Sequence, residues 1–426
     1  MIESLTLQQA SLLQLADQCV KCGYCLPHCP TFRLRHDEAE SPRGRVALIQ
    51  GLLTGELNDS ARLGIHLGNC LECLACEPVC PSLVRFGALM DGVRAQRVAQ
   101  LPPWHRLWLR LPLDLLAHPR MPALLTLVTA IYRRTGLAAA LRRLGMLSRG
   151  RLAVLDGLAD QLRRPRRSHP KAPPAALAGH AGMPAVGHET ALERDASSTG
   201  GVGLFLGCIS RGLQASTAQA ALLVLEHLGI PVQVPSRQGC CGAMHRHNGH
   251  PDSADRLLVQ NREAFLSNRV VGFASACVAE LQQGLDAREI CRFLIDTAWP
   301  EQLKLRPLPA LVAVHEPCSH RNLLRDTQAV YALLARIPEL RAVGLDGNDR
   351  CCGAAGTYLL DHPETALSLA ADKVRSITKL DVRYLVTTNT GCAAHLAARL
   401  RAAGSQIEVL HPVELIARQL AEKPNA

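Results

Sequence analysis

Apolar residues recur at helical spacing in LTLQQASLLQLADQ (residues 5–18) and RVALIQGLLTGEL (45–57), and that period predicts two amphipathic helices. Beyond residue 200 the pattern changes. GVGLFLGC predicts a buried strand, ASTAQAALLVLEHLG a helix and IPVQVP a second strand. A helix around Ala254–Leu266 and the strand RVVGFASAC follow. About 110 residues later the same order returns: LVAVHEPC, AVYALLARI, RAVGL, ETALSLAADKVRSI and VRYLVTTNTGC predict strand, helix, strand, helix and strand. Between the halves, residues 163–203 are rich in Pro, Gly, Ala and Ser and read as a linker with little fixed structure.

A chain of 426 residues, 48% hydrophobic, can build several packed domains. At 3% aromatic it suits helical and α/β packing better than a β-sandwich. The formal net charge of +10 is concentrated between Leu101 and Lys171, where 13 Arg and one Lys face three Asp. The arginines there alternate with leucines in amphipathic fashion. Three readings stay open: a solvated face that packs on a partner, contact with an anionic membrane surface, or nucleic acid. The last is disfavoured, because no nucleic-acid motif accompanies the charge. The longest strongly apolar run, Met121–Tyr132, has 12 residues and is too short to span a bilayer. The N-terminus lacks a basic n-region, so the expectation is a cytoplasmic protein, free or peripheral on the inner face of the membrane.

Seventeen cysteines give the chain its chemistry. Residues 19–30 read CVKCGYCLPHCP and residues 70–81 read CLECLACEPVCP, with the same spacing at an offset of 51. C-x2-C-x2-C-x3-C-P is the bacterial ferredoxin spacing. Three thiolates at three-residue steps on a tight loop reach three corners of one cubane, and the fourth, at the start of a following helix, points away. In two-cluster ferredoxins that fourth cysteine ligates the other cluster. The expected ligand sets are therefore Cys19, Cys22, Cys25 and Cys80 for one [4Fe-4S] cluster, and Cys70, Cys73, Cys76 and Cys29 for the second. Zinc sites rarely place a third cysteine three residues on with a trailing Pro. His28 reads as a solvent-facing loop residue. Between the runs, SPRGR offers Ser41 as an N-cap and Pro42 as the first helical residue. Arg43 and Arg45 read equally well as cluster counter-charges and as an exposed basic helix start.

Each later repeat supplies a single cysteine, a Cys-Cys-Gly turn and one more cysteine at a strand end: Cys208, Cys240, Cys241 and Cys277, then Cys318, Cys351, Cys352 and Cys392. Strand ends of a parallel sheet converge on one edge, so four thiols per repeat can meet. Gly242 and Gly353 allow a sharp turn beside them. Further clusters, reduced thiols and zinc all remain open there. Cys291, in EICRFLID, reads as a small core residue. His315, His320 and His395 flank the second set and read as polar packing. GVGLFLG has its glycines at the wrong spacing for a dinucleotide fingerprint, so no flavin or NAD is expected on this chain.

The second pattern resembles the CCG, or cysteine-rich, domain of heterodisulfide reductase subunits. Two ferredoxin runs followed by two such domains resemble the iron–sulfur subunits of glycolate oxidase, through SPRGR, GCIS, GCCGAMHRH, HEPCSH, CCGAAGTYLL and NTGCAAHL. Anaerobic glycerol-3-phosphate dehydrogenase and lactate-utilisation subunits share parts of the plan. In the full motif the last cysteine is preceded by another, where this chain has Ala274 and Asn389. The resemblance implies an α+β protein. Residues 1–100 would form a mostly helical two-cluster ferredoxin-like domain, and 101–200 a basic helical segment and linker. Residues 201–310 and 311–426 would form tandem α/β CCG domains. It further implies an electron-transfer subunit without catalytic residues of its own. Its partner would be a flavin-binding dehydrogenase subunit in a hetero-oligomer, with glycolate as substrate, peripheral inner-membrane contact and a quinone as acceptor. D-lactate and glycerol-3-phosphate systems, and a heterodisulfide-type enzyme, are the alternatives.

Overall fold

The computed structural model describes residues 7–147, 150–159, 201–266 and 269–420. The stretch read as a linker lies almost wholly outside them. The N-terminal part is helical, with Leu7–Asp17, Pro42–Leu53, Ala61–Gly68 and Phe86–Ala99 packed around Leu12, Val46, Ile49, Leu89 and Met90. The helix Pro42–Leu53 starts as its sequence dictates. Ser41 is its N-cap, its hydroxyl accepts from the Gly44 N–H, and Pro42 fills the first turn.

Each later repeat forms a four-stranded parallel sheet. The first comprises β1 (Val202–Phe205), β2 (Val232–Gln233), β3 (Arg269–Gly272) and β4 (Ala287–Glu289), in the order β2-β1-β3-β4. The second comprises β5 (Leu311–Val314), β6 (Arg341–Gly344), β7 (Tyr384–Val386) and β8 (Glu408–Leu410), in the order β6-β5-β7-β8. The topology is identical, and the architecture is α+β overall with two α/β units. The sequence reading missed β4 and β8. Each has three residues, two of the three in β4 are charged, and neither carries an apolar run that could signal it.

On one face the two sheets share an interior. Val202, Leu204 and Val271 of the first pack in one apolar cluster with Val312, Val314 and Val386 of the second. Leu225, Leu333 and Ile416 from the covering helices join the same cluster. Cys291 is fully buried there, as a small core residue.

The basic middle forms the helices Pro103–Ala117, Met121–Arg134, Leu137–Arg143 and Gly150–Ala159. The last lies against the second repeat, with Val154 beside Leu71, Cys351 and Tyr358. The first reaches the other repeat through Asp114, 3.0 Å from His245 Nε2. Trp104, Trp108, Leu111, Leu127 and Ile131 stay exposed. No single helix among the described residues is long and apolar enough to cross a membrane.

The helical part docks on the repeats through the second cysteine run. Arg94 donates to the carbonyls of Cys70 (2.9 Å) and His247 (2.8 Å) and pairs with Glu72. His247 Nδ1 lies 2.6 Å from Glu72 and 3.0 Å from Asp91. Burial alone would lower the His247 pKa, but the two carboxylates outweigh it and hold the imidazole well above its ordinary value. A raised folded value means that this ionic contact is complete below about pH 6.5, the unfolded range. It is lost as pH rises through the raised value. Hydrogen exchange of the helices Phe86–Ala99 and Ala243–His247 is expected to quicken with pH across that window, beyond the intrinsic base catalysis of exchange. In His247→Gln, exchange corrected for intrinsic rate is expected to be fast and flat with pH.

Candidate metal centres

The two cysteine runs fold into the same loop. Lys21 and Gly23 in the first have φ of 55° and 90°, and Glu72 and Leu74, offset by 51, have 48° and 55°. Such left-handed residues turn successive backbone N–H groups to one side, a concavity that suits anionic sulfur. Glycine adopts this at position 23 without strain, whereas Leu74 is a branched side chain held there by its packing.

Each loop walls one cavity, and each cavity takes its fourth thiol from the other run. One is lined by Cys19, Cys22 and Cys25 together with Cys80, and encloses about 280 Å³ including its open mouth. The other is lined by Cys70, Cys73 and Cys76 together with Cys29, at about 320 Å³. Cys29 is the N-cap of the short helix Pro30–Arg35, as the spacing implies. Cys80 is not: a turn follows it, and the next helix begins only at Phe86. His28, read as solvent-facing, is half-buried and lines the second cavity.

One arginine stands at each cavity. Arg43 lines the first, half-exposed, donating to the Lys21 carbonyl (3.1 Å) and pairing with Glu38 at 2.7 Å. Arg45 lines the second and is 1% exposed. Its guanidinium donates to Glu40 Oε2 (2.6 Å), the Glu40 carbonyl (2.6 Å), Thr31 Oγ1 (3.1 Å) and the His66 carbonyl (2.8 Å). It also reaches Cys29 Sγ at 4.0 Å. Asn69 and His66 hold the other Glu40 oxygen at 2.7 and 2.9 Å. Two expectations for the arginines were open from the sequence, and burial rules out an exposed helix start for Arg45, whose guanidinium pairs with Glu40 beside the second cavity.

Burial pushes the Cys73 and Cys76 thiols well above their ordinary range, so a free thiol there stays protonated and a metal must displace the proton. Four sulfur donors per cavity, a loop of converging N–H groups and an adjoining arginine fit a thiolate-ligated cluster. Residues at this site that the sequence did not signal are Thr31, Glu40, His66 and Asn69, which meet only through the tertiary fold.

In the repeats the structure brings four thiols together twice. Cys208 and Cys240 Sγ are 3.3 Å apart, and Cys241 bridges Cys240 and Cys277. Hydrogen bonds from the Cys208 and Cys241 thiols hold Cys240 well below the ordinary thiol range. In the second set, Cys318 and Cys351 are 4.0 Å apart and Cys352 and Cys392 are 3.0 Å apart. Cys277 and Cys392, expected at strand ends, lie instead in the first turns of the helices Ser275–Leu281 and Thr390–Ala402. Gly242 and Gly353 have φ of 96° and 87°, and a Cβ at Gly353 would meet the Ala366 carbonyl oxygen at 2.7 Å. Of the three flanking histidines, His320 bonds Thr388 (2.7 Å) and His395 lies 3.2 Å from the Ala366 carbonyl, with burial driving its pKa down to about 4. His315 is buried beside Asn348.

The second cavity abuts the second thiol set. Cys73 packs in one cluster with Cys318 and Cys351, and Asn322 donates to the Cys73 carbonyl at 2.7 Å. Comparison with protein families matches residues 15–84 to the 4Fe-4S dicluster domain, and residues 202–282 and 312–397 to the cysteine-rich domain. The chain carries a dicluster domain and two cysteine-rich domains. Two curated relatives match nearly the full chain and a third matches half of it. A probable glycolate oxidase iron-sulfur subunit of Bacillus subtilis is 26% identical over 95% of this chain and 94% of the relative. The glycolate oxidase iron-sulfur subunit of Escherichia coli is 27% identical over the same shares. A lactate utilization protein A of Oceanobacillus iheyensis is 26% identical over 50% of this chain and 96% of the relative.

Removing one partner of a buried ion pair leaves the other charged and unpaired, at a cost of about 3–5 kcal/mol. Arg45→Met is therefore expected to lower the stability of the dicluster domain by that order in anaerobic denaturant titrations. Glu40→Gln on the same chain should restore part of it, and the equivalent exposed change, Arg43→Met, should cost about 1 kcal/mol or less.

Proposed function

We propose that the chain is the iron–sulfur electron-transfer subunit of a flavin-dependent 2-hydroxy-acid dehydrogenase, with glycolate oxidised to glyoxylate on a partner subunit and electrons passed on to a membrane quinone. The observation that carries this reading is the pair of four-cysteine cavities, each closed by the other run's last cysteine, with the second resting on the Cys318–Cys351 thiols. A [4Fe-4S] cluster bound by four thiolates supplies one-electron redox change and offers no open position to a substrate. The chain's own residues then hold the thiolates at fixed positions and offset their charge with Arg43 and Arg45. Substrate oxidation falls to a partner.

The likeness to two glycolate oxidase iron–sulfur subunits over nearly the full chain supports glycolate over the alternatives. The first cavity opens to the surface at Cys22, beside exposed Val20, Tyr24 and Leu83. An exposed apolar rim of this kind suits a protein partner at one end of the route. The exposed apolar faces of Pro103–Ala117 and Met121–Arg134, flanked by arginines, suit attachment to an anionic membrane near the quinone.

Anaerobic purification of the native complex should yield a flavin-containing partner and dehydrogenase activity higher with glycolate than with D-lactate. A chain that purifies alone with turnover of its own would sink the subunit reading. Within the complex, Cys29→Ala is expected to abolish the electron paramagnetic resonance signal of the cluster at Cys70, Cys73 and Cys76 first. Loss of the other signal instead would show that each run serves its own cluster.

A further inference from the structure

The two cysteine runs end alike, in Cys29-Pro30-Thr31 and Cys80-Pro81-Ser82, so each cysteine that crosses to the other cavity has a hydroxyl two places on. The two hydroxyls stand in different surroundings. Ser82 is half-exposed and lines the first cavity. Thr31 is 1% exposed, and its Oγ1 lies 3.3 Å from Cys29 Sγ. The same oxygen accepts from the Arg45 guanidinium at 3.1 Å and lies 2.9 Å from the Glu40 carbonyl. Arg45 also holds that carbonyl directly, at 2.6 Å.

The number of protons decides how these groups arrange themselves once Cys29 is a ligand. As a free thiol, Cys29 donates to the Glu40 carbonyl at 3.5 Å, and Thr31 donates to it as well. A ligated sulfur has lost its proton and can only accept. Thr31 has one hydroxyl proton, which rotates between carbonyl and sulfur. Turning it to the sulfur leaves the Glu40 carbonyl its bond from Arg45, so no buried group is orphaned. Arg45 donating into the Thr31 oxygen polarises the hydroxyl and makes it the stronger donor. The guanidinium itself stands 4.0 Å from the sulfur, farther than the hydroxyl.

We infer that Thr31 tunes the cluster of the second cavity: its hydroxyl, backed by Arg45, donates to the ligated Cys29 sulfur and holds that cluster's reduction potential up. Reduction adds one electron and spreads negative charge over the sulfurs, with no bond made or broken. A donor to sulfur is therefore worth more in the reduced state, which moves the potential upward. At the first cavity solvent reaches the equivalent position, so the Ser82 hydroxyl adds little there. The inference rests on the dicluster reading and is independent of which acid the partner oxidises.

The test is an anaerobic dithionite titration of the full chain followed by electron paramagnetic resonance, with iron and acid-labile sulfide counted first. The second cluster's signal is the one that Cys29→Ala removes. Thr31→Val replaces the hydroxyl by a methyl group and is expected to lower the midpoint of that signal while the other stays in place. Thr31→Ser returns a hydroxyl and should restore the wild-type midpoint. Ser82→Ala should move neither. In wild type, electron–nuclear double resonance should find an exchangeable proton coupled to the second signal that the first signal lacks. Absence of that coupling overturns the inference even where Thr31→Val fails to assemble the cluster. A Thr31→Val midpoint at or above the wild-type value, an equal shift of both signals, or no recovery in Thr31→Ser also overturns it and leaves the dicluster reading standing. A chain without cluster iron defeats both.

Discussion

The rest of the dicluster domain is arranged around the buried ion pair of Arg45 and Glu40. A guanidinium removed from water needs nearly all of its donors satisfied, and here Glu40, Thr31 and the His66 carbonyl satisfy them. Those partners come from three separate segments: the helix after Cys29, the turn before Ser41, and the helix that leads into the second run. Arg45 therefore fixes where Cys29 stands relative to Cys70. Without that registration the fourth thiol would have no reason to sit in the other run's cavity.

Both duplications are symmetric in backbone and asymmetric in environment. The cysteine loops share their left-handed turns, yet one carries an exposed Cys22 and the other has buried Cys70 and Cys76, with Asn322 of the second repeat on the Cys73 carbonyl. The cysteine-rich domains share strand order and thiol positions, yet Phe205 stands beside one thiol set where His315 stands beside the other. Duplication supplied equivalent sites. The neighbours of each copy set what it can hold and which surface it faces.

Much of this was legible because it depends on residues close in sequence. Three cysteines at three-residue steps specify a loop, and apolar runs such as LVAV specify a strand, without reference to the rest of the chain. The left-handed positions of the two cysteine loops were not read: Gly23 takes that conformation freely, but Leu74 at the equivalent place is held there only by packing. β4 and β8 were invisible because three residues with polar members carry no period. The role of Arg45 was undecided for a related reason. Its neighbour Arg43 has the same local sequence context, and only tertiary burial separates them. The contact between Cys73 and Cys318 joins residues 245 positions apart, and no spacing rule reaches that far.

The apolar cluster shared by β1, β3, β5 and β7 has a bearing on cooperativity. A domain with a private interior can open while its neighbour stays closed. Here, parting the sheets would uncover one joint interior, Leu204 and Val271 on one side with Val312 and Val386 on the other, together with the helices that cover them. The shared face therefore couples the two sheets, while each keeps a second apolar cluster of its own on the opposite face, around Phe265 in one and Leu385 in the other. A chain cut between residues 296 and 311 would expose that shared face on both halves, while each thiol set would keep its own apolar surroundings.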